Sequence, residues 1–296
     1  MLETLSIFCK SYRTDLRRIQ RLLKSIEKYN NEDIPIYISV PHEDVALFQE
    51  NTYNFKVSVL SDLDIVSKNS SINLDQFLSL PGNIAQQIVK SEFWRAGYSE
   101  NYVCVDSDAI FIRPVRYSSY LSPSGTPYTV IDQGQEILNA SLRKSRQHVI
   151  RNFFAESRKI KSLFNRTGID YSFGPFPVVW SSAVWKALEE KFFAPTKMNI
   201  LDAICQHPIE SHWYGEALLK FNPIPIFPRQ PIFYVYHYAW QFNEHKDNNI
   251  TEADLGLLYD GLIYQSAWER EMDWPTEGGN LASKLARRFR RVIGHS

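Results

Sequence analysis

Tyr102-Val103-Cys104-Val105-Asp106-Ser107-Asp108-Ala109-Ile110-Phe111-Ile112-Arg113-Pro114 joins two apolar runs of strand length through a pair of aspartates. In an extended chain, residues two apart point to the same side, so Asp106 and Asp108 are expected to converge on one ion. Hard carboxylate oxygens at the end of a buried strand suit Mg²⁺ or Mn²⁺. A cation held there would neutralise charge on a departing phosphate oxygen. An isolated D-x-D is more often a plain strand end, so the surrounding chain has to decide.

Upstream, Leu5-Ser6-Ile7-Phe8-Cys9 reads as a strand, followed by Lys10-Ser11-Tyr12-Arg13-Thr14-Asp15. Thr14 or Asp15 is placed to cap a helix running to about Tyr29, with Leu16, Ile19, Leu22, Leu23 and Ile26 on its apolar face. Ile36 to Val40 is a second strand, a short helix follows Pro41, and Lys56 to Leu60 is a third strand. This alternation predicts a parallel, helix-covered sheet, whose ligands gather beyond the carboxyl ends of the strands. Lys10, Ser11, Tyr12 and Asp15 are therefore expected beside any bound nucleotide. Ser61 to Asp75 reads as a loop. Pro81-Gly82-Asn83 opens a helix that carries Gln86, Gln87 and Lys90 into the aspartate stretch.

Beyond Pro114 a Ser/Pro/Gly-rich loop, a basic helical region to about Asn165 and a Phe173-Gly174-Pro175-Phe176-Pro177 loop precede a short strand at Val178 to Trp180. Ser181 or Ser182 caps the next helix. Ile209-Glu210-Ser211-His212-Trp213-Tyr214-Gly215-Glu216 enters another, and Phe233 to Tyr238 is a strong strand ending near His237.

The first glycine in the chain is Gly82, so the N-terminal strands carry no G-x-G-x-x-G turn and no P-loop. No G-x-S-x-G nucleophile elbow occurs either. The 296 residues are 44% apolar and 22% charged, ordinary values for a globular protein. Aromatics reach 14%, with seven Trp and sixteen Tyr, an excess that suits carbohydrate binding as well as core packing. No run approaches a membrane span, and the N-terminus lacks a signal-peptide pattern, so the expected location is the cytoplasm. Cys9 and Cys104 fall in expected strands as buried reduced thiols. The zero net charge argues against nucleic-acid binding, yet Arg143 to Arg166 carries +7 and Lys284 to Arg291 carries +5, leaving −12 elsewhere.

Taken with a preceding Gln-Gln-x-x-Lys helix, the strand–Asp-Ser-Asp–strand unit resembles the nucleotide-sugar-dependent glycosyltransferases of the GT-A fold. In detail the chain resembles a poorly characterised bacterial family of polysaccharide-biosynthesis proteins. The marks are Cys9-Lys10-Ser11-Tyr12 with Asp15, Gln86-Gln87-Ile88-Val89-Lys90, Val105-Asp106-Ser107-Asp108, Trp213-Tyr214-Gly215-Glu216 and Tyr236-His237. The resemblance implies an α/β fold: a GT-A-type domain over 1–275 with a Rossmann-like mixed sheet covered by helices. Its nucleotide-binding half would run to about 115 and its acceptor half over about 116–275. It implies a UDP-sugar donor, a cation held by Asp106 and Asp108 with His237 completing the set, and donor contacts from Lys10, Ser11, Tyr12, Asp15, Gln87, Lys90, Asp106 and Ser107. An imidazole ligand favours Mn²⁺ over Mg²⁺. For an inverting reaction it places the carboxylate base at Glu210, with Glu216 as the fallback; relatives carry a second acid where this chain has His212. Tyr12 is a candidate to stack on a nucleobase, and Phe173 to Pro177 with Trp180 to shape the acceptor pocket.

The expected acceptor is a glycan or lipid-linked oligosaccharide of bacterial surface polysaccharide synthesis (O-antigen, capsule or lipopolysaccharide). Residues 276–296 are expected to form a basic amphipathic helix, with Leu281, Leu285, Phe289, Val292 and Ile293 on one face, suited to the anionic inner-membrane surface. Docking on the domain is its alternative. Two other functions fit less well. A non-catalytic glycan-binding protein of the same fold would share the pattern. An aspartate-nucleophile phosphatase would want a Thr or Val at position 110 and a later acidic pair. Cys205, His207 and His212 lack the spacing of a zinc site.

Overall fold

The computed structural model describes residues 2–268 and 271–272. The strands, in chain order, are β1 (Glu3–Lys10), β2 (Ile36–Val40), β3 (Ser58–Ser61), β4 (Ser99–Val105), β5 (Ala109–Phe111), β6 (Tyr128–Val130), β7 (Val178–Ser181), β8 (Phe227–Arg229), β9 (Phe233–Tyr236) and β10 (Gly261–Tyr264). The main sheet has the order β3-β2-β1-β4-β7. Its first four strands are parallel, and β7 closes the edge antiparallel to β4. The expected architecture, a mixed sheet covered by helices, is the one observed.

Strand alternation explains the two cores. On β1, Phe8 packs with Tyr102 and Cys104 of β4 under the Gly82–Glu92 helix, while Leu5, Ile7, Cys9, Val103 and Val105 face the Leu16–Tyr29 helix. Both faces are covered, so these strands are almost continuously apolar rather than alternating. Cys9 and Cys104 are buried free thiols, as expected, and Cys205 is an exposed one.

A second, three-stranded sheet of order β5-β10-β9 starts directly after the aspartates. β10 is antiparallel to β5 and parallel to β9. This sheet carries the chain away from the main one, and it is the reason the extended geometry expected for Asp106-Ser107-Asp108 is not found. The backbone turns there, with the Ala109 amide donating to the Asp106 carbonyl at 3.2 Å.

Ser61 to Asp75 is also not an open loop. It holds two short helices, Asp62–Val66 and Leu74–Leu78. Ser61 forms a capping box with Asp64, and the Asn73 side chain accepts from the Gln76 amide. Polar caps set close together made a helical stretch look like a loop. Asp15 occupies the cap position of the Leu16–Tyr29 helix but makes no side-chain cap hydrogen bond. Ser181 does cap the Ser182–Leu188 helix, through the Ala183 amide. The C-terminal helix expected over 276–296 lies outside the described residues. No helix among the described residues is long and apolar enough to cross a membrane.

Candidate active site

The carboxyl ends of all four parallel strands open into one cleft of about 560 Å³. β1 delivers Lys10, Ser11 and Tyr12; Pro41 follows β2, Asp62 follows β3, and Asp106, Ser107 and Asp108 follow β4. Asp15 and Arg18 line it from the first helix, Gly82, Asn83, Ala85, Gln86 and Lys90 from the helix before β4, and Gln265 and Ser266 from beyond β10. Backbone direction alone gathers the strand-end residues, because parallel strands end on the same edge.

Lys90 sits at the back of this cleft. Its side chain is 4% exposed, its Nζ is 2.6 Å from Asp106 Oδ1 and 3.7 Å from Glu210 Oε1, and it lies 4.2 Å from the centroid of the Phe176 ring. Burial works to lower its pKa, but Asp106 and Glu210 outweigh that, and the ammonium is held protonated. Phe176 is thus the part of the Phe173–Pro177 loop that touches the site. Trp180 is 1% exposed, packed in the core against Trp185 and Tyr214, and does not shape a pocket.

Glu210 opens the Glu210–Phe221 helix, 104 positions after Asp106. Burial pushes its carboxyl up, and the nearby Lys90 ammonium opposes that shift. Gln87 braces this helix: its amide oxygen accepts from the Glu210 backbone N–H at 3.3 Å, while its amide nitrogen donates to the Asn83 carbonyl. Successive helical residues point about 100° apart, and Gln86, rather than Gln87, lines the cleft. Glu216 takes a different part. It is 1% exposed and clamped by the Arg166 guanidinium at 2.5 and 2.7 Å, so it belongs to a buried ion pair and not to the cleft.

Asp108 is 7% exposed, and its Oδ2 accepts from the Ser266 amide at 2.9 Å. Burial first, and the neighbouring Asp106 charge second, push its carboxyl up to about 7. An added cation would remove both penalties, so this donor set fits a divalent ion. Ser107 donates to Asp15 Oδ2 at 2.6 Å, and Asp15 also pairs with Arg18. That is why Asp15 is not free to cap its own helix.

His237 does not line the cleft, and no cluster of three or more His, Cys, Asp and Glu arranged for a metal occurs among the described residues. Register nevertheless puts His237 and Asp108 at the same end of the small sheet. Tyr236 pairs with Tyr264, and the Tyr264 amide donates to the Asp108 carbonyl at 3.0 Å, so one strand separates the two residues. Burial lowers the His237 pKa to about 4, which keeps the imidazole neutral.

Asp62, Arg18, Gln265 and Ser266 were not singled out in the sequence. Asp62 receives hydrogen bonds from Ser39 and pairs with Lys10 at 2.9 Å, so Lys10 enters the cleft already neutralised. The carboxyl end of the third strand was the signal for Asp62; reading Ser61 to Asp75 as a loop hid it. Tyr12 is 48% exposed at the mouth.

The basic region divides in two. Arg143 pairs with Glu244, Arg158 and Lys161 with Asp170, Lys159 with Glu156 and Arg166 with Glu216. Lys144, Arg146 and Arg151 have no acidic partner among the described residues.

A family model described as a family of unknown function (DUF6492) matches residues 4–256. The chain belongs to that family. No curated protein matches it. Among solved structures it is similar to the apo form of the WbbM bifunctional glycosyltransferase, at a TM-score of 0.49 and 11% identity over 88% of this chain and 46% of that one. The chain thus spans less than half the length of that protein. It is also similar to mouse xyloside xylosyltransferase 1 in its apo form, at 0.48 and 7% identity over 89% of this chain and 98% of that one. An active-site mutant of LgtC gives 0.45 and 12% over 98% and 95%.

Proposed function

We propose that this member of DUF6492 is a metal-dependent glycosyltransferase that moves a sugar from a nucleotide-diphosphate sugar, UDP-sugar by first choice, to a glycan acceptor. The observation that carries the reading is the Asp106–Lys90–Glu210 arrangement: a strand-end aspartate and a distant buried glutamate share one lysine at the back of a polar cleft. Asp106 and Asp108 would hold Mn²⁺ or Mg²⁺, which when bound supplies positive charge against a diphosphate leaving group. His237, neutral and one strand away, is the candidate for a third ligand, and its nitrogen favours Mn²⁺. Tyr12 at the mouth has the exposure a nucleobase-stacking ring requires.

In the inverting form of this chemistry, Glu210 takes the proton of the acceptor hydroxyl. The acceptor oxygen forms the new bond to the anomeric carbon, and the electron pair of the old carbon–oxygen bond leaves with the diphosphate. Lys90 opposes the upward push that burial gives the Glu210 carboxyl, favouring the ionised form a base needs, and lies 3.7 Å from it. The sequence resemblance extends the proposal to bacterial surface polysaccharide synthesis, with work at the cytoplasmic face of the inner membrane. The test is a nucleotide-release screen over common nucleotide sugars with and without Mn²⁺. Release from at least one donor that stops on chelation is the expected result. Glycan binding with no release from any donor would instead favour a non-catalytic lectin of this fold.

A further inference from the structure

Among the described residues, Lys144, Arg146 and Arg151 are left without an acidic partner after the ion pairs of the basic region are counted. Arg146 is the best defined. Its guanidinium lies 4.7 Å from the Tyr238 ring centroid and 5.7 Å from that of Trp268, and those two rings meet edge to face at 6.1 Å. Beside them Lys144 lies 5.2 Å from the Trp240 ring. Ser141 ties the cluster down through the Tyr238 hydroxyl at 3.0 Å.

Its position follows from the chain. Tyr238 is the residue after His237, and Trp268 is two residues beyond Ser266, whose amide holds Asp108. Two residues reach at most ~7 Å, so the cluster borders the end of the small sheet next to the aspartates. A guanidinium seated on aromatic rings is positioned by its flat face and retains a fork of N–H donors for a carboxylate or phosphate. The rings beside it offer apolar faces to a sugar. A bilayer is served less well: between residues 142 and 151 the large apolar side chain left exposed is Leu142 alone.

We propose that Lys144 and Arg146, on a floor of Tyr238, Trp240 and Trp268, form an acceptor subsite for an acidic saccharide, one bearing a carboxylate or phosphate next to the sugar that receives the transfer. The proposal deepens the glycosyltransferase reading and rests on it. The test is calorimetric titration of the whole chain at low salt with a tetrasaccharide of alternating glucuronate, a neutral tetrasaccharide, glucose 1-phosphate and glucose. The expected result is that an acidic probe binds about tenfold or more tightly than its neutral counterpart. That preference should shrink with added salt and be lost in Arg146→Gln and weakened in Lys144→Gln. Lys159→Gln, which touches a paired surface lysine, should keep it. Whichever acidic probe wins identifies carboxylate or phosphate as the anion. Equal binding of neutral and acidic probes, or an Arg146→Gln variant that binds as wild type does, overturns the subsite. So does cosedimentation with phosphatidylglycerol vesicles that needs Arg146 while no saccharide binds. UDP titration with Mn²⁺ on the same samples separates the two ideas. Arg146→Gln should bind UDP normally, and absence of UDP binding in every sample would remove the transferase reading while the saccharide titration still reports on the patch.

Discussion

Val105–Asp108 and Trp213–Glu216 are two short segments that look equally pointed in the sequence, and the structure gives them opposite characters. In the second, every polar group is matched. Trp213 is fully buried and donates to the His207 carbonyl, the Tyr214 hydroxyl accepts from the Ser181 amide at 2.8 Å, and Glu216 is closed by Arg166. Gly215 is there because Phe173 needs its space: an added Cβ would stand 2.3 Å from that ring. In the first segment, Asp106 pairs with Lys90 while Asp108 accepts a backbone amide and feels Arg18, yet burial and the neighbouring charge still push Asp108 up. One segment is finished without a ligand, and the other is electrostatically incomplete. The satisfied segment locks the helix that presents Glu210; the incomplete one is where binding energy remains to be gained.

The contrast breaks first at Asp106 and Asp108. Conversion of either to Asn should lower metal-dependent transfer by about 10³-fold, the effect of losing roughly 4 kcal/mol of charge stabilisation. For Asp108→Asn the melting temperature should hold or rise, because Asp108 loses a charge that burial disfavours. A variant that melts far lower while keeping its activity would move these aspartates into the structural group. Glu210→Gln comes next. Donor binding is expected to survive while transfer falls by about 10²-fold or more; normal transfer would mean that the base lies elsewhere.

At Glu216 the expected pattern is reversed. Glu216→Ala leaves the Arg166 guanidinium without its partner and should cost about 3 kcal/mol of stability, with donor affinity of the folded fraction unchanged. Denaturant unfolding measured beside UDP binding gives both numbers. A smaller effect belongs to His212, which burial holds neutral with its pKa lowered to about 4, its ring edge-on to Phe173. Below about 6.5 the unfolded chain takes a proton that the folded chain refuses. This residue's contribution therefore falls as pH drops from about 6.5 to about 4, by on the order of 3 kcal/mol. His212→Leu should show a flatter acid limb in Tm against pH than wild type, and identical limbs would place the titrating group elsewhere.

The parallel strands were legible because both of their faces are buried and their residues read as apolar runs. Lys10, Ser11, Tyr12 and Asp106 were legible as cleft residues because strand direction alone delivers them. What the sequence concealed was orientation. Gln86 and Gln87 are adjacent and equivalent in composition, and only the helix phase decides which faces the cleft. Glu210 and Glu216 are both acids of one helix, and only the position of Arg166, fifty residues earlier, separates them. Asp106 and Asp108 seemed to share a face because the start of a new sheet at Ala109 leaves no local mark. Asp62 was hidden by its caps, and the unpaired remainder of the basic region became visible only once partners distant in sequence were in place.

The carboxylates after β4 are proposed to bind a donor diphosphate through a divalent cation. Titration of UDP into wild type, Asp106→Asn, Asp108→Asn and Glu216→Gln, each with and without Mn²⁺, tests it most directly. Mn²⁺-dependent binding is expected in wild type and in Glu216→Gln, with its loss in both aspartate variants. Binding of equal strength with and without Mn²⁺, unchanged by either aspartate substitution, would contradict it.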